Sequence, residues 1–82
     1  MKLWFEDSNG DWRIVKDCQN SEDVYVAIND FIKRCNKNKP PRQRFKVPYL
    51  RYWDDQDGMY RHFDVGSHTE FFHLQLKEEI YG

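Results

Sequence analysis

The chain has little glycine, proline or cysteine, and it has no long apolar run. Its four glycines and three prolines among 82 residues form no dinucleotide-binding or P-loop pattern, so we expect no cofactor. Two cysteines, Cys18 and Cys35, are too few for the disulfide framework of a small secreted scaffold. No apolar run approaches the roughly 20 residues that cross a bilayer, so we expect no membrane association.

The amino-terminal residues also differ from a secretory signal. Met1 to Asp7 becomes acidic too early for the apolar region that such a signal requires. A buried thiol behaves as a small hydrophobe, and this is the role we expect for Cys35. These features together favour a reduced protein in the cytoplasm.

Aromatic residues are abundant, whereas the net charge is small. They make up 17% of the chain, and its formal net charge is −1. Disordered chains combine few aromatic residues with a large net charge, so this chain is predicted to fold. Its length fits one domain over residues 1–82, with a basic loop at 37–44 and a tail at 77–82 that frays.

Apolar residues at helical spacing predict one amphipathic helix. Asn20 or Ser21 is a suitable N-cap, and the helix is expected to end near Asn36. The apolar positions follow the i, i+3, i+4, i+7 spacing of a buried helical face. They are Val24, Ala27, Ile28, Phe31, Ile32 and Cys35.

Residues 2–16 are predicted to form a β-hairpin that turns at Asn9-Gly10, because both turn residues tolerate a positive φ. A two-residue turn would place Glu6 opposite Arg13, which are oppositely charged. The expected core face then consists of Leu3, Phe5, Trp12 and Ile14. The expected outer face carries Trp4 and Val15.

A second hairpin is predicted from Phe45 to Val65, turning near Asp57-Gly58. The paired residues would be Asp54 with Arg61, Arg51 with Asp64, Tyr52 with Phe63, and Leu50 with Val65. The acidic residues before Gly58 also allow a wider loop. Residues 70–76 are a candidate fifth strand, so the expected fold is an α+β domain of order ββαββ, with an antiparallel sheet and one helix on one face.

Asp64, Ser67 and His68 contain the residue types of a hydrolase triad. Triad members normally converge from separate segments and require an oxyanion hole, whereas these three are close neighbours in the chain. Glycine and serine in this position are typical of a turn. We therefore predict that the protein is not an enzyme.

The histidines also raise the question of a metal site. His62, His68 and His73 lie near Asp64 and Glu70, but structural zinc sites favour Cys and His pairs at short fixed spacings. One strand could offer at most His62 and Asp64 as ligands, since alternate residues share a face. We expect no metal site.

The basic residues are concentrated between residues 33 and 53. Eight lysines and arginines fall there without an acidic residue, while the flanking segments are acidic. Basic side chains mixed with aromatic ones are typical of single-strand nucleic-acid surfaces, but the slightly negative net charge is not. Nucleic-acid binding is therefore the alternative function. Its candidate residues are Lys37, Lys39, Arg42, Arg44 and Lys46.

Two segments resemble a known group of proteins. The first is Trp4 to Gly10, and the second is Phe63 to Phe72, in which Asp64 to Phe72 is the distinctive part. Together with the intervening helix they resemble small, uncharacterised proteins of temperate phages and prophages of Gram-positive bacteria. This resemblance implies an accessory role in the cytoplasm of the host cell, and it implies no mechanism or functional residues.

One helix can cover only one face of the predicted sheet, so the other face is available for binding. Aromatic and arginine side chains are enriched at interface hot spots. We therefore expect a non-enzymatic accessory module that binds a protein partner or a second copy, and we expect no small-molecule ligand. The candidate binding residues are Trp4, Tyr49, Arg51, Trp53, Tyr60 and His62. A register shift of one residue would exchange the two faces.

Overall fold

A computed structural model describes residues 1–45 and 51–77 of the chain. Its strands and helices, in chain order, are β1 (Lys2–Glu6), β2 (Trp12–Asp17), α1 (Ser21–Asn36), a 3-10 turn (Pro41–Gln43), β3 (Tyr52–Asp54), β4 (Tyr60–Asp64) and β5 (Phe71–Gln75). The five strands form one antiparallel sheet. The predicted α+β class and the order ββαββ with a fifth strand are confirmed.

The order of the strands across the sheet is β2-β1-β5-β4-β3. The candidate fifth strand is therefore the central strand, and it pairs with both hairpins. Phe72 lies opposite Phe5 of β1 and opposite Phe63 of β4. Strand β5 thus joins two locally formed hairpins into one sheet.

Helix α1 begins and ends where its capping residues predict. The Asn20 side chain accepts a hydrogen bond from the Asp23 backbone N–H at 2.9 Å, and the Asp23 carboxylate accepts one from the Gln19 N–H at 3.1 Å. The first contact satisfies a backbone donor of the first turn that has no intrahelical partner, and the second connects the residue before the N-cap to that turn. The N-cap at Asn20 and the last residue, Asn36, agree with the prediction.

The core lies between α1 and the face of the sheet that we call the inner face. Phe31 of the helix lies 4.6 Å from Phe5 and 5.4 Å from Phe72, measured between ring centroids. Burial of these large apolar surfaces is the main stabilising contribution of the fold. The buried core residues are Leu3, Phe5, Cys18, Val24, Ala27, Ile28, Ile32, Phe45, Phe63, Val65, Phe72 and Leu74.

Both cysteines are free thiols that contact this core. Cys18 is buried and Cys35 is half-buried. Burial raises the pKa of each thiol, which favours the uncharged and less nucleophilic form. The expected packing role of Cys35 agrees with this environment.

The register of the first hairpin differs from the predicted one. Glu6 pairs with Trp12 and Phe5 pairs with Arg13, whereas the expected turn at Asn9-Gly10 would have paired Glu6 with Arg13. A shift of one residue in one strand exchanges its two faces. The prediction of this register is wrong.

The cause of the shift is the turn between β1 and β2. The Asp7 carboxylate accepts hydrogen bonds from the backbone N–H groups of Asn9 and Asp11, at 2.9 and 3.1 Å. Gly10 has a φ of 83°, and no residue other than glycine has a positive φ in the described part of the chain. The connection is therefore a three-residue loop with glycine in the left-handed region, not a two-residue turn.

The changed register corrects the predicted faces of β2. Trp12 and Ile14 were expected in the core, but both are exposed on the side of the sheet away from the helix. A β-bulge opposite Leu3 and Trp4 adds one residue to β2. Val15, expected on the outer face, packs against the core instead.

The register of the second hairpin agrees with the prediction where the chain is described. Tyr52 pairs with Phe63, and Asp54 pairs with Arg61. Arg61 donates two hydrogen bonds to the Asp54 carboxylate, at 2.7 and 3.1 Å, and these bonds lower the pKa of Asp54. Leu50, the predicted partner of Val65, lies outside the described residues.

The turn of the second hairpin is the wider of the two alternatives. The Asp55 N–H donates to the Tyr60 carbonyl at 2.9 Å, and the Gly58 N–H donates to the Asp55 carbonyl at 3.0 Å. Gly58 has a φ of 71°, a conformation that L residues rarely adopt. Four residues therefore connect Asp55 to Tyr60.

The basic loop after α1 is held against the core. The Asn36 side chain accepts a hydrogen bond from the Phe45 N–H at 2.8 Å and donates one to the Phe45 carbonyl at 3.0 Å. Within this loop, Pro41–Gln43 forms one 3-10 turn. Pro41 is tolerated because the first residues of a helix need no N–H partner within it.

Candidate binding face and its histidine pair

The side of the sheet away from α1 is called the outer face. Alternate residues of a strand point to the same side, so the inward placement of Leu3, Phe63 and Phe72 places their neighbours on the outer face. Its aromatic and histidine residues are Trp4, Trp12, Trp53, Tyr60, His62, Phe71 and His73. Within residues 1–45 and 51–77, the only α-helix packs on the opposite face.

Four of the six predicted binding residues lie together on this face. Trp4, Trp53, Tyr60 and His62 come from strands β1, β3 and β4. Arg51 is exposed immediately before β3, and Tyr49 lies outside the described residues. The structure thus brings together most of the set that the hairpin patterns suggested.

Trp12 belongs to the same surface, although its sequence pattern placed it in the core. Its indole ring stacks on the imidazole of His73, with centroids 3.8 Å apart and planes inclined by 6°. Tyr60 meets Trp12 edge-on at 5.9 Å, and Trp4 lies 6.5 Å away. The signal that could have identified this position is Asp7, whose side chain sets the turn and hence the register.

The outer face exposes large apolar side chains at both ends. Trp12 and Ile14 at one end are 44% and 53% exposed, and Trp53 near the other end is 49% exposed. Trp53 also packs edge-on against Phe71, at 6.1 Å between ring centroids. Half of each of these surfaces is therefore available to a partner.

Four polar side chains form a continuous chain of hydrogen bonds across the centre of the outer face. His62 Nε2 lies 2.6 Å from Asp55 Oδ1, and His62 Nδ1 lies 2.6 Å from His73 Nδ1. His73 Nε2 lies 2.7 Å from Glu6 Oε1. All four ring nitrogens are engaged, so neither imidazole has a free nitrogen for a substrate or a metal ion.

Burial and the nearby Glu6 carboxylate shift the pKa of His73 in opposite directions. The side chain of His73 is 7% exposed, and this desolvation lowers its pKa, while the hydrogen bond to Glu6 acts to raise it. The net pKa shift is downward. Burial of a cationic imidazole is costly, so His73 resists protonation.

Glu6 and His73 were not predicted from the sequence as members of this group of hydrogen-bonded side chains. Glu6 was assigned to a surface pair with Arg13, and His73 was considered only as a metal ligand. The two residues are 67 positions apart, and they meet because β5 lies beside β1 in the sheet. The order of the strands, which local pattern does not determine, brings them together.

A cleft of about 690 Å³ opens beside these aromatic residues, at the end of β1. Trp4, Tyr60 and Gln75 contribute to its walls, as does Met1. The amino group of Met1 donates to the Cys18 carbonyl at 2.7 Å. The Trp4 Nε1–H is buried and has no hydrogen-bond partner among the described residues, so the cleft does not present this donor at its surface.

The segment that suggested a triad has the hydrogen bonds of a turn. The Ser67 hydroxyl donates to Glu70 at 3.3 Å and accepts from the Thr69 N–H at 3.3 Å. The Asp64 carboxylate accepts from the Gly66 N–H at 2.7 Å. These side chains stabilise the loop that leads from β4 into β5.

The described residues contain neither a cluster suited to a metal ion nor a helix suited to a membrane. Over residues 1–45 and 51–77, no three side chains of histidine, cysteine, aspartate or glutamate are placed to hold a metal ion. In the same residues, no helix combines the length and apolar character needed to span a bilayer.

The predicted nucleic-acid-binding residues lie at the carboxyl-terminal end of α1 and in the loop that follows. Lys39 places its ammonium group 3.5 Å from the centre of the Phe45 ring, and Arg44 donates to the Lys39 carbonyl at 3.1 Å. Lys37 and Arg42 are exposed, and Lys46 lies outside the described residues. These cations therefore follow the helix, whereas the exposed indoles lie on the outer face of the sheet.

The fold and its outer face define a small α+β domain with an aromatic, hydrogen-bonded sheet surface. Comparison with known proteins gave no match to a family model, to a curated protein or to a solved structure. The resemblance to prophage proteins stays a prediction.

Proposed function

We propose that this protein is a non-enzymatic accessory module that binds a protein partner, or a second copy of itself, through the outer face. The observation that carries the proposal is the half-exposed state of Trp12, Ile14 and Trp53 on one sheet face. Tryptophan is among the residues enriched at interface hot spots. Burial of these side chains by a partner would remove apolar surface from water, which is favourable.

The polar groups of the outer face favour a protein over a polyanion. Carboxylates of Glu6 and Asp55 form the ends of the hydrogen-bonded chain, and Asp64 shares the face with His62. Negative charges at this surface would repel phosphate groups. The chemistry of the face therefore suits an apolar or cationic protein surface better than a nucleic acid.

The internal contacts of the outer-face histidines and of Ser67 are compatible with a binding role. His62 and His73 use all their ring nitrogens in contacts within the chain, and the Ser67 hydroxyl is occupied by turn contacts. The resemblance to prophage proteins favours an accessory role in the host cytoplasm. We propose that setting for the protein.

Capture from lysate of lysogenic cells tests this function when wild type is compared with matched variants. The outer-face baits are Trp12→Ala and Trp53→Ala, and the control is Val26→Ala, since Val26 is 48% exposed on the helix. We expect one protein that the wild type and the control capture in nuclease-treated lysate, and that both tryptophan variants lose. Equal capture by all four baits would contradict the proposal.

The alternative function is nucleic-acid binding through the basic loop, favoured by the exposed cations Lys37 and Arg42. If it is correct, a variant with Arg42, Arg44 and Lys46 neutralised should bind oligonucleotides more weakly and with less salt dependence, since each phosphate contact releases counterions. Titration of single- and double-stranded oligonucleotides at two salt concentrations measures this. Tight, salt-dependent binding that the triple variant loses would replace the proposed protein-binding function.

A further inference from the structure

The contact between the two histidines fixes how many protons lie between them. Their Nδ1 atoms are 2.6 Å apart, and a neutral imidazole has one nitrogen that donates and one that accepts. A hydrogen bond at this distance requires an N–H on one ring and a lone pair on the other. Two N–H groups, or two lone pairs, would repel each other here.

The carboxylates at the two ends fix the remaining protons. An ionised carboxylate only accepts hydrogen bonds, so Asp55 and Glu6 each require an N–H from the imidazole nitrogen that faces them. The three hydrogen bonds therefore need three protons on the two rings. Two neutral imidazoles carry only two such protons. When all three hydrogen bonds are formed, the two rings therefore hold one extra proton and together carry one positive charge.

We propose that His62 and His73 form a proton switch in the outer face, in which His62 is protonated on both ring nitrogens while His73 stays neutral. In this state His62 donates to Asp55 and to His73, and His73 donates to Glu6. The charge state follows from the contact between the two rings together with their contacts to Asp55 and Glu6. Its effect on binding rests on the function proposed above.

The surroundings favour this placement of the charge. His62 is more exposed than His73, at 15% against 7% of the side chain, so a cation loses less hydration on His62. The lowered pKa of His73 agrees with its being the neutral ring. The charged groups hydrogen-bonded to the pair are Glu6 of β1 and Asp55 of the turn before β4, and Asp64 of β4 lies on the same face as His62.

The other strands cover the pair with aromatic rings. Strand β2 contributes Trp12, which stacks on His73, and β3 contributes Trp53, 5.5 Å from His62 between ring centroids. Strand β4 adds Tyr60, at 6.4 Å from His62. A rearrangement of either imidazole would therefore move the same aromatic side chains that form the proposed binding surface.

The three hydrogen bonds can all be present only within a limited pH range, because they are lost in both acid and base. Protonation of His73 in acid places an N–H on both Nδ1 atoms, so that the two rings repel each other and the contact between them breaks. Loss of the extra proton in base leaves a lone pair facing a carboxylate or facing the other ring. Because the two rings are coupled, their titration steps belong to the pair.

Nitrogen-15 NMR of the histidine side chains in the intact protein tests the charge state without a partner. We expect protons on both ring nitrogens of His62 and on Nε2 alone of His73 at neutral pH. Two neutral rings at neutral pH would overturn the proposal, and so would independent titration of the two rings.

Asp55→Asn provides a second test, because it removes the negative charge but keeps an oxygen acceptor. We expect the affinity of the pair for its extra proton to fall by about tenfold or more. Asp57→Asn is the matched control, since Asp57 lies in the same turn and accepts from the Met59 N–H. Equal effects of the two variants would show that net charge alone is responsible and would overturn the proposal.

The two proposals fail in different ways. If the NMR pattern is found but no partner binds, the switch stands and the proposed function fails. If a partner binds with an affinity that does not change when the pair gains or loses a proton, the function stands and the switch has no role in binding.

Discussion

Single side chains determine how several turns of this molecule are formed. Asp7 accepts two backbone N–H groups and thereby sets the loop between β1 and β2. Asn20 caps α1, and Asn36 pairs with both backbone groups of Phe45. Each of these side chains satisfies backbone groups that would otherwise need water or another partner.

Asn36→Ala tests the importance of the contact between the helix end and the loop. The variant leaves the N–H and carbonyl of Phe45, whose side chain is buried, without these partners. We expect a loss of about 1–3 kcal/mol in the free energy of unfolding, measured by denaturant titration. The control is Asn38→Ala at an exposed position, and an equal loss in both variants would show that the contact does not stabilise the loop.

Because His73 is buried, we expect the free energy of unfolding to depend on pH. The pKa of His73 is lowered from its ordinary value of 6.5, so the unfolded chain binds this proton more readily than the folded one. The contribution of His73 to stability should therefore be fully present above pH 6.5 and be lost as the pH decreases through the lower, folded-state pKa. Unfolding free energies measured from neutral pH into acid report this trend.

His73→Gln should remove part of this acid dependence, whereas His68→Gln should leave it unchanged because His68 is exposed. Both variants lose one histidine, but only His73→Gln removes a buried one, together with its contacts to His62 and Glu6. Identical pH profiles for wild type and His73→Gln would show that His73 does not contribute.

At the scale of strands and helices, the sequence pattern predicted those elements whose structure depends on residues close together in the chain. The apolar spacing and the capping residues predicted helix α1 correctly. The expected pairing of Asp54 with Arg61 predicted the register of the second hairpin correctly. The predicted register of the first hairpin was wrong. Asn9-Gly10 fits more than one type of turn, and the hydrogen bonds accepted by the Asp7 side chain determine which one forms.

The central position of β5 could not be predicted from such patterns. Its partners lie far away in the chain, and Phe72 has to contact Phe5 and Phe63 at once. The hydrogen bonds between Glu6, His73 and His62 follow from this strand order. The exposed tryptophan at position 53 was predicted from the second hairpin, whereas the histidine pair required the structure.

Substitutions in α1 test the face that the helix buries. Ile28 is fully buried, so Ile28→Ala should destabilise by about 2–5 kcal/mol. Phe31→Ala removes contacts with Phe5 and Phe72 and should also destabilise. Lys33→Ala, at an exposed position, should have little effect, and equal small losses for all three in denaturant unfolding would contradict the assigned face.

At the scale of the whole molecule, the two faces of the sheet differ in chemistry. The inner face is apolar and covered by α1. The outer face combines exposed indoles with a chain of carboxylates and imidazoles. The exposed cations Lys37 and Arg42 lie in the loop after the helix. This separation is the reason to expect that a protein partner binds the outer face.

The most direct test is the dissociation constant between the purified protein and the partner that it captures, with self-association measured in the same way if the partner is a second copy. Trp12→Ala and Trp53→Ala should each weaken binding by about 2 kcal/mol or more, roughly thirtyfold in Kd. Val26→Ala, on the helix, should bind like the wild type. Unchanged affinity in both tryptophan variants, or equal weakening by Val26→Ala, would contradict a binding role for the outer face.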